Sequence, residues 1–422
     1  MINESIKKGN SFSPYFIIIA ILLVITTACS KNTITNENPE LNIISSTEGL
    51  ELTINGSAVD ATGTISDVRI LWGDNSYDKL IYNEFSNINE SHVYSKPDTY
   101  TITITATNNL DKSSSESFQV SMSFKETSLA GIKETMFKLS DDEFLVLTIN
   151  LHTYQEDRQN EKFNLITDVI GKMDIDFIAL QECAQNKSSA ITEGIIREDN
   201  MALIISNNIK DKYSVDYNFI WAWAHYGWTV WEEGVAILSK YPLIESEDKY
   251  ISSGTSVYNI TSRKVIYGSY QIPDIGIINI FSAHLHWRTS ETDEEQNNQI
   301  RNTKSMAREK ETIAGTAYTG TLVYGDFNGN PTSDYPWSEG YNTMMLNNEY
   351  TDSFLEAYPD ANNKPAKSIY NTIGGDFPGR IDYIFMKNNS SFKVMDSQII
   401  FTTDIVGKIS DHYGVLTKIK RL

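Results

Sequence analysis

Cysteine is almost missing from this chain of 422 residues, which holds two, Cys29 and Cys183. A disulfide framework, a Cys-rich zinc site or an iron–sulfur cluster needs several at set spacings, so all three are excluded. Basic residues are also scarce, 35 Lys and Arg against 55 Asp and Glu, for a formal charge of −20. A nucleic-acid binder usually presents a basic face, and none is evident, which weighs against nucleic acid as a partner without removing it. Ten prolines and 23 glycines suit neither a low-complexity chain nor a repeat array. The one long apolar run, Tyr15–Ile25, is shorter than the ~20 residues of a membrane span. Aromatics, in contrast, are plentiful: 23 Tyr, 17 Phe and 7 Trp in a composition 40% hydrophobic. The length exceeds one ordinary core, and two or three domains are expected.

The chain divides by composition. Lys7 and Lys8, the apolar run and then Thr26-Thr27-Ala28-Cys29 read as a secretion signal over residues 1–28. A cysteine directly after Ala28 resembles the lipoprotein processing site, although Thr26 stands where leucine is usual. The resemblance implies a lipidated Cys29, a membrane partner and a place in the cell envelope, as an outer-membrane lipoprotein or on the extracellular face. Residues 29–40, ending in KNTITNENPE, have nothing to bury and read as a tether.

Residues 41–125 alternate with a period of two, as in Tyr100-Thr-Ile-Thr-Ile-Thr-Ala-Thr, and predict a small all-β sandwich of immunoglobulin type. Trp72-Gly-Asp-Asn, His92-Val-Tyr94 and Pro97-Asp-Thr-Tyr100 resemble the PKD domain, with Asp98 where glycine is usual. That resemblance implies an extracellular spacer or a weak binding module.

Residues 136–422 change character. Buried-strand patterns deliver a polar residue at their ends: Phe144–Asn150, Asp176–Glu182, Ile275–His284, Leu322 onward to Asp326 and Asn328, and Ser410-Asp411-His412. A helix is predicted over Phe163–Met173 and a polar one over Glu295–Ala314. Taken singly, an Asn or Asp at a strand end is a turn former. A whole set in one α/β domain suggests a site where loops converge on one sheet edge. Carboxylate and amide oxygens suit Mg²⁺ or Mn²⁺, histidines move protons near neutral pH, and together they point to metal-assisted phosphoester cleavage.

The segments Thr148-Ile-Asn150, Leu180-Gln-Glu182, Glu233-Gly-Val-Ala-Ile-Leu-Ser-Lys-Tyr-Pro242, Ser282-Ala-His284, Gly325-Asp-Phe-Asn328, Arg380-Ile-Asp382 and Ser410-Asp-His412 occur in one order. In that order they resemble the endonuclease/exonuclease/phosphatase superfamily. The resemblance implies a four-layer α/β sandwich of two packed, mostly antiparallel sheets. It implies Glu182 as principal metal carboxylate, with Asn150, Asp411 and Asp326 on the same edge. Asp326 would orient or activate the attacking water, Asn328 would hold a phosphate oxygen, and His412 would pair with Asp382. His284 would donate to phosphate or leaving group, and Glu233 is a candidate to orient it.

The superfamily does not fix the substrate. Trp221, Trp223, Trp228 and Trp231 fall within eleven residues and read as a recognition wall, a membrane-docking surface or a loop packed over the sheet. Arg263, Lys264, Arg288 and Trp287 are the local candidates for gripping substrate. Three functions follow: a sphingomyelinase-like phosphodiesterase or phosphatase on a small or lipid-linked substrate, a secreted nuclease, and a non-catalytic adhesion module. The expected state is a monomer.

Overall fold

The structure is a computed structural model that describes residues 37–422 except 291, 315–317, 333–338, 365–366 and 377. The secretion signal, Cys29 and most of the tether lie outside the described residues. No helix among the described residues is long and apolar enough to cross a membrane. The chain forms two compact units, Met1–Lys125 and Glu126–Leu422.

The first unit is all β. Strands β1 (Glu40–Glu48), β2 (Glu51–Val59), β3 (Ile65–Leu71), β4 (Lys79–Ile81), β5 (Ile88–Val93), β6 (Asp98–Asn108) and β7 (Ser113–Met122) form two antiparallel sheets, β1-β2-β5 and β4-β3-β6-β7. Alternation explains β6: Tyr100, Ile102, Ile104 and Ala106 point into the shared core. Its intervening threonines meet the serines of β7 hydroxyl to hydroxyl, as in Thr103–Ser117 and Thr105–Ser115 at 2.8 Å. The Tyr94 hydroxyl donates to the Trp72 carbonyl at 2.8 Å, and His92 stacks on Trp72 while bonding Asp74 at 2.7 Å.

The second unit is mixed α/β. Its elements are β8 (Glu143–Asn150), α1 (Gln159–Met173), β9 (Phe177–Asn186), β10 (Ile191–Glu193), β11 (Ile196–Arg197), α2 (Met201–Tyr213), β12 (Asn218–Gly227), β13 (Trp231–Ser239), β14 (Leu243–Tyr250), β15 (Lys264–Ile272) and β16 (Gly276–His284). They continue with α3 (Glu295–Ala314), β17 (Tyr318–Asp326), α4 (Glu339–Met345), β18 (Tyr350–Asp352), α5 (Ser353–Ala357), β19 (Asp382–Lys387), β20 (Phe392–Ile400) and β21 (Gly414–Arg421). Two six-stranded sheets result, β12-β13-β9-β8-β21-β20 and β14-β15-β16-β17-β19-β18. Only the β8–β9 and β16–β17 neighbours are parallel, and α1 and α3 are their crossovers.

The burial of β8 accounts for its unbroken apolar run. Phe144 and Val146 face a core they share with Ile278, Ile280, Leu322 and Ile384 of the other sheet. Leu145, Leu147 and Ile149 face Phe163, Ile166 and Ile170 of α1 and Ile205 and Ile209 of α2. A strand covered on both faces carries no polar alternation. On the second sheet, Phe281, Val323 and Phe385 pack under Ile300 and Ala307 of α3.

Three expectations shift. Strand β9 does not stop at Glu182 but runs on to Asn186, because a bulge absorbs the change of register there. The pattern from Arg380 enters the sheet only at Asp382. The tryptophan-rich stretch is not a loop: Trp221 and Trp223 lie in the edge strand β12, and Trp231 opens β13.

Candidate active site

Strand polarity brings the polar ends together. Parallel β8 and β9 pair Asn150 with Gln181, and parallel β16 and β17 pair His284 with Asp326. Antiparallel β19 begins where β17 ends, setting Asp382 opposite Asp326. His412 lies two residues before β21. The Asn150 side chain joins the sheets at this edge: its Nδ2 donates to Glu182 Oε1 at 3.0 Å and to Asp326 Oδ2 at 3.1 Å.

Local backbone aims these groups. Gln181 and Glu182 together oppose Val235 alone, and Glu182 sits at φ 44°. A bulge with one left-handed residue turns the Glu182 side chain toward the Asn150 edge. Gly325 at φ 147° lets β17 approach β16 closely, since a Cβ there would stand 1.9 Å from the Ala283 carbonyl oxygen. Asn328 at φ 49° folds back, its N–H donating to Asp326 Oδ1 at 2.9 Å and its amide to the Leu285 carbonyl at 2.9 Å.

Electrostatics divide the histidines. Burial alone would lower the His412 imidazole, but Asp382 at 2.9 Å and the nearby Asp326 overturn this and raise it to about 10. His284 has the reverse environment: burial, then the Arg263 and His225 charges, push it well below its ordinary value. Its Nε2 lies 3.6 Å from Asp326 Oδ2 and 4.0 Å from Glu182 Oε1. Burial, then the Asp382 charge, pushes Asp326 up to about 7. Burial, then the Glu233 charge, pushes Glu182 up to about 8. The half-buried Glu182 and the buried Asp326 therefore share one neutral amide donor, with the His412 Nε2 at 3.8 Å from Asp326 as the nearest charge of opposite sign among the described residues. That donor set fits a hard divalent cation with oxygen ligands. Asp326, Asp382 and His412 place one ligand atom each within 4.8 Å of one another, a candidate divalent-metal site.

Asp411 sits farther out. Its Oδ1 is 3.5 Å from His152 Nδ1, which also meets Glu156 Oε1 at 2.8 Å, and these three form a second compact group of metal-ligating type. His152 and Glu156 had no signal in the sequence beyond lying just after Asn150.

The tentative substrate residues separate. The Arg288 side chain is fully buried and ion-paired with Glu339. Its neighbour His286 is tied to Asp293 at 3.1 Å. Lys264 pairs with Asp248. Trp287 is 37% exposed and stacks with the Arg263 guanidinium 5.6 Å from its ring. Arg263 is buried, and its Nε meets no acceptor among the described residues. It lines a small cavity with His225, Glu233 and His284. Glu233 does not bond His284; its partners are His225 Nε2 at 3.0 Å and the Thr153 hydroxyl at 2.8 Å. His225 was missed, hidden in a stretch read for its tryptophans.

Most of those tryptophans are structural. Trp221 donates to the Cys183 carbonyl at 2.8 Å, Trp223 to the His225 carbonyl at 2.8 Å, and Trp231 stacks on Tyr154. Trp228, on the β12–β13 turn, is 50% exposed and meets His152 edge-on at 6.3 Å.

The model of the Endonuclease/Exonuclease/phosphatase family matches residues 147–412, more than half of the chain. Among solved structures, an endonuclease/exonuclease/phosphatase family protein from Leptotrichia buccalis is 24% identical, covering 66% of this chain and 99% of that one, with a TM-score of 0.55. An endonuclease/exonuclease/phosphatase from Beutenbergia cavernae is 16% identical over 66% of this chain and 72% of its own, with a TM-score of 0.47. A family protein from Bacteroides thetaiotaomicron is 16% identical over 66% and 94%, with a TM-score of 0.45. No curated protein matches the sequence.

Proposed function

We propose, from the premise that this chain belongs to the endonuclease/exonuclease/phosphatase family, that it hydrolyses a small or lipid-linked phosphoester with Mg²⁺ or Mn²⁺. The observation that carries the reading is the Asn150 amide bridging Glu182 and Asp326, with His284 and the Asp382–His412 pair around them. Glu182, Asn150 and Asp326 are the residues that would hold the cation, with Asp411 on the same rim. When bound, a divalent cation supplies neutralisation of charge on the phosphate and leaving oxygens.

The side chains do the rest. Asp382 keeps His412 charged, so its Nε2–H donates to a non-bridging phosphate oxygen as charge builds there. Asp326, set opposite Asp382 at the end of β17, orients the attacking water and accepts its proton. The water oxygen bonds to phosphorus as the bond to the leaving oxygen breaks. His284 stays neutral and gives a hydrogen bond to phosphate or leaving group rather than a charge. Asn328, its amide fixed on Leu285, orients a phosphate oxygen. Arg263, with its orphan Nε, and Trp287 hold the flanking part of the substrate. No covalent intermediate is needed, and Cys183 is a buried packing residue.

Exposed Trp228, Tyr258, Ile260 and Trp287 favour an apolar or lipid-linked group beside the phosphate, as in a sphingomyelinase-like enzyme. The stacking of helices, sheet, sheet and helices supports a four-layer sandwich. The two sheets and the Trp72–His92–Tyr94 cluster support an immunoglobulin-like spacer of PKD type. A signal and lipidated Cys29 would hold the chain on the envelope. A secreted nuclease is the second reading, favoured by Arg263 alone. Parallel assays on sphingomyelin, phosphoinositides and plasmid DNA test the choice. Turnover of lipid substrates above DNA is expected, and cleavage of DNA alone would overturn it.

A further inference from the structure

Among the groups that line the cavity beside His284, the reaction leaves the Glu233 carboxylate without a role. Glu233 is 4% exposed, and an ionised carboxylate at that depth is costly unless it is held on several sides. It is so held. His225 faces it across the β12–β13 pairing because β12 carries one extra residue, Ala224, between Trp223 and His225. His225 Nδ1 meets the Ser262 carbonyl at 2.9 Å, and its Nε2 meets Glu233 Oε1 at 3.0 Å. The other carboxylate oxygen, Oε2, accepts from the Thr153 hydroxyl at 2.8 Å. A Cβ at Gly227 would stand 2.6 Å from that same oxygen, so the turn is kept bare for it.

Thr153 touches the metal edge. Its hydroxyl proton goes to Glu233, so the same oxygen meets the Glu182 carbonyl oxygen at 3.2 Å and Glu182 Oε2 at 3.5 Å as a packing contact. It also sits in three successive left-handed residues, His152, Thr153 and Tyr154, at φ 56°, 41° and 57°. Glu182 is left-handed as well, at φ 44°. Non-glycine residues hold such conformations only where their surroundings fix them. The Glu233 carboxylate accepts the Thr153 hydroxyl beside Glu182, where the two left-handed segments meet.

We propose that His225 and Glu233 are positioning residues, a buried chain of hydrogen bonds from the Ser262 carbonyl through His225 and Glu233 to the Thr153 hydroxyl, which holds Thr153 packed against Glu182 and so limits where that carboxylate can sit for the divalent cation. This relay rests on the metal-dependent reading above. Neither residue touches substrate; both act through Thr153. A ligand's outer partners typically govern metal affinity by about 10–100-fold.

Thr153→Val keeps the shape and branching of the side chain and deletes the hydroxyl, while Thr153→Ser keeps the hydroxyl. Mn²⁺ binding to the purified chain, followed by electron paramagnetic resonance without substrate, separates the outcomes. Thr153→Val and Glu233→Gln are expected to weaken Mn²⁺ about tenfold or more, and Thr153→Ser to restore wild-type binding. Circular dichroism and Tm check the fold, and if Thr153→Val unfolds, Glu233→Gln carries the same expectation. Wild-type protein that takes up no Mn²⁺ contradicts the proposed function. Wild-type protein that binds Mn²⁺, with Thr153→Val or Glu233→Gln folded and binding it equally well, contradicts the relay.

Discussion

His412 and Asp382 form a buried pair, Nδ1 to Oδ2 at 2.9 Å, and Asp382 faces Asp326 across the β17–β19 pairing. The imidazole gains its charge from that carboxylate, against a burial cost that acts the other way. Asp382→Asn keeps the shape and removes the charge. The largest influence holding the imidazole charged is then lost, and burial pulls His412 down against the remaining Asp326 and Asp411 charges. The expected result is a fall in kcat of about a hundredfold or more with a smaller change in KM, read from steady-state rates on a soluble phosphodiester.

Stability should fall with rising pH when no metal is present, because three raised groups outweigh the lowered His284, which acts the other way below about 6.5. Glu182 and Asp326 are raised to about 8 and about 7 from ordinary values of 4.5 and 3.8, so the folded chain keeps protons that the unfolded chain releases. His412, raised to about 10 from 6.5, does the same at higher pH. Stability therefore falls as pH rises through the window from about 4 to about 10. Tm measured in chelator at pH 5 and pH 8 should be higher at pH 5. Added Mg²⁺ or Mn²⁺ should remove most of the difference, because it binds the ionised carboxylates of the folded state.

Gly325→Ala tests the close approach of β16 and β17. The new Cβ would collide with the Ala283 carbonyl at a φ that L side chains rarely adopt. Relieving the clash separates His284 from Asp326, which are paired one residue further along. A loss of about 3 kcal/mol or more in chemical denaturation is expected, or failure to fold.

Arg263 and Arg288 should behave differently despite similar burial. Arg288→Ala removes a fully buried side chain and its ion pair with the partly exposed Glu339, and lower stability with nearly unchanged KM is expected. Arg263→Gln removes a cation that lines the site cavity, and the expected effect is a rise in KM of about tenfold. Thermal melts and kinetics on both variants check the contrast.

The site was legible where one residue ends one strand. Asn150, His284, Asp326 and Asp382 stand at strand ends, and parallel or antiparallel pairing brings such ends to a common edge. What the sequence hid depends on bulges. The insertion at Ala224 aligns His225 with Glu233, and the bulge at Glu182 extends β9 beyond it. One-residue slips of this kind leave no mark on hydrophobic periodicity. Partner choice was hidden for the same reason. Arg288 looked like a phosphate ligand because its partner, Glu339, lies far along the chain, at the start of α4, which carries no clear signal in the sequence. The tryptophan cluster misled in another way: in Trp221, Trp223 and Trp231 the ring serves packing and backbone hydrogen bonds, leaving Trp228 as the exposed one.

The most direct measurement is hydrolysis of bis(p-nitrophenyl) phosphate by wild-type protein, Glu182→Gln and His412→Ala, each with Mg²⁺ or Mn²⁺ and with chelator. The arrangement around Asn150 predicts metal-dependent turnover by the wild type and a loss of about a hundredfold or more in both variants and in chelator. Equal rates in the variants, or wild-type turnover indifferent to chelator, would contradict it.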